Sequence, residues 1–196
     1  MATLYDWAIC SYDEFVESLT DSTVPESEKS LINRIINAVT DFIEGPSGCN
    51  RRIKRRSELI TEYPYTYNTN FVFLNHPPVS VQDVWYSVDG EFDDSTKLDI
   101  TSYVVNSETG MIIWKNGSIF KAGYNFVKVT YYGGYVNVPE DLKDVAIQLA
   151  IYIYKRYKTK AVLSDSISTS GGMSIPIKVV PDSYQQRVID SYKLIR

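Results

Sequence analysis

The chain has 196 residues, enough for one domain with a substantial core or for one domain with an extension. Its formal net charge of −4 does not fit a simple nucleic-acid-binding protein, because such domains are usually basic throughout. The sequence has neither an apolar run of the roughly 18 residues that span a bilayer nor a basic-then-apolar leader, so we expect a soluble chain used without export.

Two helices are predicted in the first fifty residues. The segment Ser11–Leu19 carries a capping box, in which Ser11 and Glu14 are three residues apart, followed by apolar residues on one helical face. The segment Glu28–Ile43 has apolar residues at helical spacing along its length, and Gly45-Pro46 ends it.

The apolar period changes to two between residues 51 and 132, which predicts short strands of an antiparallel sheet. Asp89-Gly90 predicts one tight hairpin, and Glu108-Thr109-Gly110 predicts a second. The predicted strands are Ser57–Tyr67, Phe71–Leu74, Val79–Val88, Tyr103–Val105, Met111–Lys115 and Asn125–Tyr132.

The last predicted strand joins the longest predicted helix. Its inward residues are Val127, Val129 and Tyr131, and Gly133-Gly134 ends the strand because glycine adopts backbone angles at which a strand stops. Asn137 lies three residues before Glu140, as in a capping box, which predicts a helix from about Pro139 to Lys158 with the proline in its first turn.

The final segment is predicted to be a flexible loop, Ala161–Ile175, and then a helix opened by Pro181. Tyr184, Val188, Tyr192 and Ile195 would share one face of that helix. The fold class is therefore α+β, a helical bundle packed with a small antiparallel β-sheet. We expect a core domain over residues 1–160 and an extension over residues 161–196.

Residues able to carry out chemistry are few. His76 is the single histidine, and we expect a loop residue with a satisfied ring. Asp93-Asp94 falls in a predicted loop, and Glu140-Asp141 falls at a helix start, where acids stabilise the dipole. The two cysteines show no metal-site spacing, and the sequence has no phosphate-binding glycine loop. We therefore expect no enzyme activity, no cofactor and no metal.

Charge is unevenly distributed. Acidic residues dominate the first fifty positions, and two basic clusters follow, one at residues 51–56 and one at residues 155–160. The first cluster contains Arg51, Arg52, Arg55 and Arg56, which could be solvated, contact a neighbouring subunit or bind DNA phosphates. The 16 tyrosines fit either strands and core edges or a surface that a partner covers.

The order of these motifs resembles the head–tail connector (adaptor) family of tailed bacteriophages. The resemblance rests on SYDEFVESL, SLINRIINAVTDFIEGPSGCNRR, NHPPVSVQDVWYSVDGE, YVVNSETGMIIW and VKVTYYGGYVNVPEDLKDVAIQLAIYIYKRYK, which cover most of residues 11–158. Residues 57–75 and the segment from residue 164 onward depart from the family pattern.

The resemblance implies a structural virion protein at the capsid–tail junction. Copies would form a ring, typically of twelve, on the portal protein, extend the DNA channel and dock the next neck or tail-completion protein. It also implies that the C-terminal segment reaches the portal, so Tyr184, Arg187, Val188 and Tyr192 become candidate portal contacts.

The free chain would be a monomer in the host cytoplasm and would form a ring on the portal, because a ring multiplies weak contacts. The basic residues at 51–56 of one copy would meet the acidic region 13–28 of the next copy. DNA would pass without sequence-specific binding, so we expect neutral or acidic side chains toward the channel, from the polar stretch 163–174.

Three alternatives stay open. A stopper or tail-completion protein of the same neck would have a different neighbour and a loop that can obstruct the channel. A carbohydrate-binding module would need aromatic residues in line on an exposed sheet face, and the long helices argue against it. A small hydrolase is the weakest alternative, because the sequence shows no catalytic motif.

Overall fold

The structure is a computed structural model that describes residues 2–19, 24–164 and 179–193. Across these residues the chain forms four α-helices and six β-strands, which confirms the predicted α+β class. It divides into two compact units, a helical unit of Met1–Asn50 with Val138–Arg196 and a sheet unit of Arg51–Asn137. The predicted domain boundary near residue 160 stays a prediction. None of the described helices is long and apolar enough to cross a membrane.

The helical unit begins with a short capped helix followed by a longer one. The helices are α1 (Tyr12–Glu17), α2 (Lys29–Glu44), α3 (Glu140–Ser164) and α4 (Ser183–Ser191). The predicted capping box of α1 is confirmed: the Glu14 amide donates to Ser11 Oγ at 3.1 Å, and the Ser11 amide donates to Glu14 Oε2 at 2.7 Å. Apolar side chains of all four helices are buried; they include Phe15, Ile32, Ile36, Ile43, Leu142, Leu149 and Ile189.

The long helix α3 differs from its prediction at both ends. It begins at Glu140, so Pro139, rather than Asn137, lies at the capping position, and the Pro139 carbonyl accepts a hydrogen bond from the Lys143 amide at 3.0 Å. The helix continues to Ser164, so the first four residues of the predicted loop are helical. The rest of that loop, residues 165–175, lies outside the described residues, as does Ile195.

The sheet unit contains two three-stranded antiparallel sheets, where the sequence analysis predicted one. The strands are β1 (Ile60–Glu62), β2 (Phe71–Phe73), β3 (Val79–Tyr86), β4 (Tyr103–Asn106), β5 (Met111–Trp114) and β6 (Val127–Gly133). Their orders are β1-β6-β3 and β2-β5-β4. Both sheets contribute to one apolar core, in which Val127, Val129 and Tyr131 of β6 are fully buried as predicted.

The predicted hairpin at Asp89-Gly90 is wrong, because β3 pairs with β6 and not with the next strand in the chain. The turn itself forms: Gly90 has φ +84°, and Asp89 accepts hydrogen bonds from the Ser87 hydroxyl and, at 3.1 Å, from the Glu91 amide. The hydrogen bond from Ser87 lowers the pKa of the Asp89 carboxyl. The second predicted hairpin is confirmed, since β4 pairs with β5 across Gly110.

Candidate functional site

The first of the four predicted contact arginines, Arg51, is buried. Its side chain is 8% exposed, its guanidinium donates to the Pro77 carbonyl, and it lies 5.7 Å from the centroid of the Tyr135 ring. A guanidinium held by a carbonyl and an aromatic face is part of the interior of the sheet unit. Arg51 is therefore not available to a neighbouring subunit.

Arg52 is half-buried, and its backbone is held by the single histidine. The Arg52 amide donates to Nδ1 of His76 at 3.1 Å. The histidine ring therefore accepts a hydrogen bond from a segment 24 residues earlier in the chain, which fits the prediction of a loop histidine with a satisfied ring.

Arg55 and Arg56 line a shallow open cleft, which we call the arginine cleft. Its other lining residues are Ser57, Tyr132 and Val136. Both arginines are half-buried, whereas Val136 is 66% exposed at the rim. The cleft is thus lined by two arginines, two hydroxyl-bearing residues and one exposed valine.

The backbone around this cleft is fixed by a parallel β-bridge between two segments, at Lys54 and Tyr135. The Arg55 amide donates to the Tyr135 carbonyl at 2.8 Å, and the Tyr135 amide donates to the Ile53 carbonyl at 2.6 Å. Gly134 has φ +97°, and a Cβ at this position would lie 2.8 Å from the Ile53 carbonyl oxygen, so only glycine permits the close approach. Arg55 Nε also donates to the Gly134 carbonyl at 3.4 Å.

The acidic region that was predicted to meet these arginines is only partly available. Glu14 pairs with Lys143 at 3.1 Å, and Glu28 accepts hydrogen bonds from Lys158 and Tyr154. Asp13 and Glu17, by contrast, are exposed and lie one turn apart on α1. They are the carboxylates of this helix that face solvent.

Hydrogen bonds and burial set the direction of the pKa shifts in this region. The Lys158 ammonium and then the Tyr154 hydroxyl lower the pKa of Glu28, while burial and the Glu28 carboxylate raise the pKa of Tyr154 to about 12. Burial alone would raise the pKa of Glu14, but the Ser11 amide and the Lys143 ammonium outweigh it and leave that pKa lowered. These carboxylates are therefore charged at neutral pH and hold helices together.

The terminal helix α4 packs against α3 through residues that the sequence analysis did not single out. Asp182 caps α4, and Gln185 and Ile189 are its buried side chains. The Ile189 carbonyl accepts a hydrogen bond from the buried Cys49 thiol at 3.4 Å. The capping box between Asp182 and Gln185 was the available signal, since it sets the helix phase and places Ile189 one turn beyond Gln185.

The four predicted portal contacts have different environments. Tyr184 is 55% exposed, Arg187 is also exposed, and Val188 is half-buried. Tyr192 is half-buried, and its hydroxyl donates to Asp141 Oδ1 of α3 at 2.7 Å. Of the four candidates, Tyr184 and Arg187 are therefore the exposed ones, and they share the outward surface of α4 with Ser183, Asp190 and Ser191.

The carboxylate pairs considered for catalysis have structural roles. Asp93 caps a short 3₁₀-helix by accepting from the Ser95 and Thr96 amides at 2.9 and 3.1 Å. Asp141 accepts from the Leu142 amide at 2.9 Å at the start of α3. Among the described residues, no group of three or more His, Cys, Asp or Glu side chains is arranged to hold a metal ion.

Exposed aromatic side chains cluster on the sheet unit. Tyr65 contacts Tyr67 and Tyr124 with interplanar angles of 62° and 71°, and Phe71 contacts Phe73 at 71°. These rings meet edge to face and do not form a flat row. The geometry does not favour the carbohydrate-binding alternative, which requires aligned aromatic faces.

Comparisons with known proteins agree with this architecture. The sequence model of the head completion protein family matches residues 8–193. No curated protein matches the chain. A chain in the neck of an empty GTA particle, computed with C6 symmetry, is similar over 100% of this chain and 94% of its own length, with TM-score 0.58 and 14% identity.

Two further solved structures have the same fold. A chain in the virion of a native gene transfer agent (GTA) particle has TM-score 0.57 and 14% identity, over 99% of this chain and 94% of its own length. A chain in the neck of a native GTA particle, computed with C12 symmetry, has TM-score 0.51 and 14% identity, over 100% and 94%. At this identity the likeness concerns the fold.

Proposed function

The chain belongs to the head completion protein family, and from that membership we propose that it is the adaptor of a head–tail connector. The single observation that carries the head-completion role is the family match over residues 8–193, which includes both units and the terminal helix. Within that role, the order of the sequence motifs supports the adaptor. Copies would form a ring, of twelve subunits, on the portal protein at the capsid–tail junction. The ring would extend the DNA channel and dock the next neck or tail-completion protein.

The portal contact is proposed for the outward surface of α4. Ile189 and Gln185 lie on the buried face of the helix. Of the candidate residues, Tyr184, Arg187 and Val188 are therefore the ones that would contact a partner. A tyrosine beside an arginine and an aliphatic side chain has the composition typical of protein interfaces. Tyr192 would contribute from the end of the helix, where it also contacts Asp141.

The contact between neighbouring copies is proposed for the basic run of the sheet unit. Arg51 is excluded by its burial, and Arg52, Arg55 and Arg56 remain as candidates. When two different surface patches of identical copies meet head to tail, the copies close into a ring if the rotation between them permits. The free chain would then be a monomer, because one such contact between half-exposed charges is weak.

An affinity pull-down with the full chain, tagged at its N-terminus, tests the adaptor role in cells that produce the particle. We expect recovery of the portal protein by the wild-type chain and a loss of about tenfold or more with the double variant Tyr184→Ser and Val188→Ser, because partner-facing aromatic side chains carry much of an interface's binding free energy. The matched control is Val88→Ser, which removes an equally apolar, 62% exposed side chain elsewhere. Undiminished portal recovery with the double variant would contradict the assignment of the contact to α4.

A stopper or tail-completion protein of the same neck is the second candidate. The family match favours it equally at the level of head completion, since that description names no neighbour. Recovery of tail proteins without the portal in the same pull-down would favour this candidate and would contradict the adaptor.

A further inference from the structure

We propose that three clustered tyrosines, Tyr65, Tyr67 and Tyr124, bind the extended segment Val180-Pro181 of a second copy of this chain. We call the three residues the tyrosine cluster. The inference rests on the proposed ring. It assigns a contact between neighbouring subunits to the sheet unit of one copy and to the segment that leads into α4 of the other.

The tyrosine cluster is carried by two chain segments that are hydrogen-bonded to each other. The Thr66 amide donates to the Gly123 carbonyl at 3.1 Å, and the Gly123 amide donates to the Thr66 carbonyl at 3.0 Å. Thr66 is fully buried, and Asn68 Oδ1 accepts from the Ala122 amide at 2.8 Å. The backbone that carries the rings is therefore fixed before any partner binds, which lowers the ordering cost of a contact.

The rings of the cluster contact each other at steep angles. The centroid of the Tyr65 ring lies 4.5 Å from that of Tyr67 and 4.6 Å from that of Tyr124, with interplanar angles of 62° and 71°. Two rings that meet nearly at right angles form the walls of a notch. Aromatic-lined notches of this kind bind extended segments that contain proline.

The segment that leads into α4 has the conformation that such a notch binds. Val180 is 49% exposed and, as the residue before a proline, is restricted to extended backbone angles. The ring of Pro181 fixes its φ near about −65°. Asp182 follows with φ −76° and ψ 179°. The segment is therefore extended and close to polyproline II, a conformation whose backbone carbonyls are open to a partner.

The two surfaces also agree in chemistry. Neither the cluster nor Val180-Pro181 carries a charged side chain, so their contact removes no ionic group from water. A pyrrolidine ring can pack on an aromatic face, and a tyrosine hydroxyl can donate to a backbone carbonyl. Lys121, the cation nearby in the chain, has its ammonium 5.0 Å from the centroid of the Phe126 ring. The cluster therefore suits an apolar peptide segment better than a nucleic-acid backbone, which calls for cations.

The exposed area of the cluster fits a contact within a ring. Because a tyrosine side chain offers on the order of 200 Å² of contact area, three residues that are 39%, 72% and 71% exposed present roughly 350 Å² to a partner. A stable pair of proteins buries about 800 Å² on each side. Two copies joined by this contact alone would therefore separate, whereas in a closed ring every copy is held by two neighbours. The contact fits a chain that is monomeric when free.

Substitution tests whether the cluster supports the ring. Full-length variants are assembled on purified portal rings, and bound copies are counted by electron microscopy. We expect Tyr67→Ser with Tyr124→Ser to lower ring occupancy about tenfold, and Tyr67→Phe with Tyr124→Phe to keep at least half of it, because phenylalanine preserves the aromatic walls. The control is Ile100→Ser, which removes a 75% exposed apolar side chain of the same unit and should leave occupancy unchanged. Circular dichroism melting checks that all variants are folded.

Photo-cross-linking identifies the occupant of the cluster. Tyr67 is replaced in the full-length chain by p-benzoyl-phenylalanine, which keeps an aromatic ring, and the rings assembled on the portal are irradiated. We expect a covalent dimer on a denaturing gel. After trypsin digestion, the attachment site should lie at Val180 or Pro181, within the peptide of residues 179–187. The same amino acid in place of Ile100 is the control and should not label this peptide.

The other outcomes overturn the inference and separate it from the proposed function. If the wild-type chain does not assemble on the portal, the adaptor role is wrong and the inference falls with it. If rings form but the serine variant fills them equally, the adaptor role stands and the cluster contact is wrong. A cross-link to the portal, to another part of the second copy or to nothing would likewise show that Val180-Pro181 is not the occupant.

Discussion

Arg51 is buried, whereas Arg55, four residues later in the same basic run, is half-buried and lines an open cleft. Truncation of Arg51 would remove its hydrogen bond to the Pro77 carbonyl and its cation–π contact with the Tyr135 ring. We expect Arg51→Ala to lower the free energy of unfolding by about 2–3 kcal/mol and Arg55→Ala by less than about 1 kcal/mol. Urea denaturation measures both, and equal losses would contradict the distinction between a structural and a contact arginine.

Glu28 offers a second test at this scale, through its pKa. Its carboxyl accepts hydrogen bonds from Lys158 and Tyr154, which lower its pKa below the usual 4.5. A carboxyl with a lowered folded-state pKa stabilises the fold above its unfolded pKa and loses that contribution as the pH falls through the folded pKa. We expect Glu28→Gln to cost about 1 kcal/mol at pH 7 and the difference from wild type to shrink below about pH 4.5.

Urea unfolding curves at pH 7 and at a series of lower pH values measure the Glu28 effect. The matched control is Glu26→Gln, whose carboxylate is 80% exposed and pairs with Lys29 three residues away, so no measurable change is expected. A Glu28→Gln loss that is the same at every pH would show that packing, and not charge, carries the contribution.

At the scale of elements, α4 depends on one fully buried apolar side chain. Ile189 is fully buried, while Tyr184 of the same helix is 55% exposed. We expect Ile189→Ala to weaken the packing of α4 by about 2–4 kcal/mol, because truncation of a buried aliphatic side chain leaves a cavity. Hydrogen exchange of the α4 amides should accelerate strongly in Ile189→Ala and stay close to wild type in Tyr184→Ala. Unchanged protection in Ile189→Ala would contradict this view of α4.

Local signals in the sequence predicted the elements well, and long-range pairing limited the rest. The capping box of α1 and the alternation of Val127, Val129 and Tyr131 depend on neighbouring residues, and both are confirmed. The division into two sheets depends on β3 meeting β6, which is some fifty residues away in the chain. A turn at Asp89-Gly90 cannot reveal that partner, because many turns do not join paired strands.

The same limit applies to the candidate site. The sequence predicted a basic cluster, but it could not separate Arg51 from Arg55, because the difference is made by Pro77 and Tyr135, which the fold brings near. It likewise placed a face of Tyr184, Val188 and Tyr192 on the terminal helix and missed Ile189. A short helix with apolar residues on several sides does not show from its period alone which side is buried.

At the scale of the whole molecule, the net charge of −4 affects how strongly the chain would bind DNA that passes through the proposed ring. Several cations are already paired with acids inside the chain; these pairs are Lys29–Glu26, Lys97–Asp83, Lys143–Glu14 and Lys158–Glu28. A protein bound to duplex DNA releases one counterion for nearly every phosphate it neutralises, so its affinity falls steeply with salt when many cations take part. The overall negative charge therefore favours weak binding to duplex DNA and a shallow salt dependence.

We expect the full chain to bind a duplex of about 20 base pairs only weakly, with log affinity against log salt falling no more steeply than about −2. Fluorescence anisotropy over a salt series measures this slope. The variant Asp13→Lys with Glu17→Lys raises the net charge from −4 to zero and serves as a positive control, because its added cations should steepen the slope. A wild-type slope near −6 would mean that the chain binds DNA strongly, which would contradict the proposed channel through which DNA moves freely.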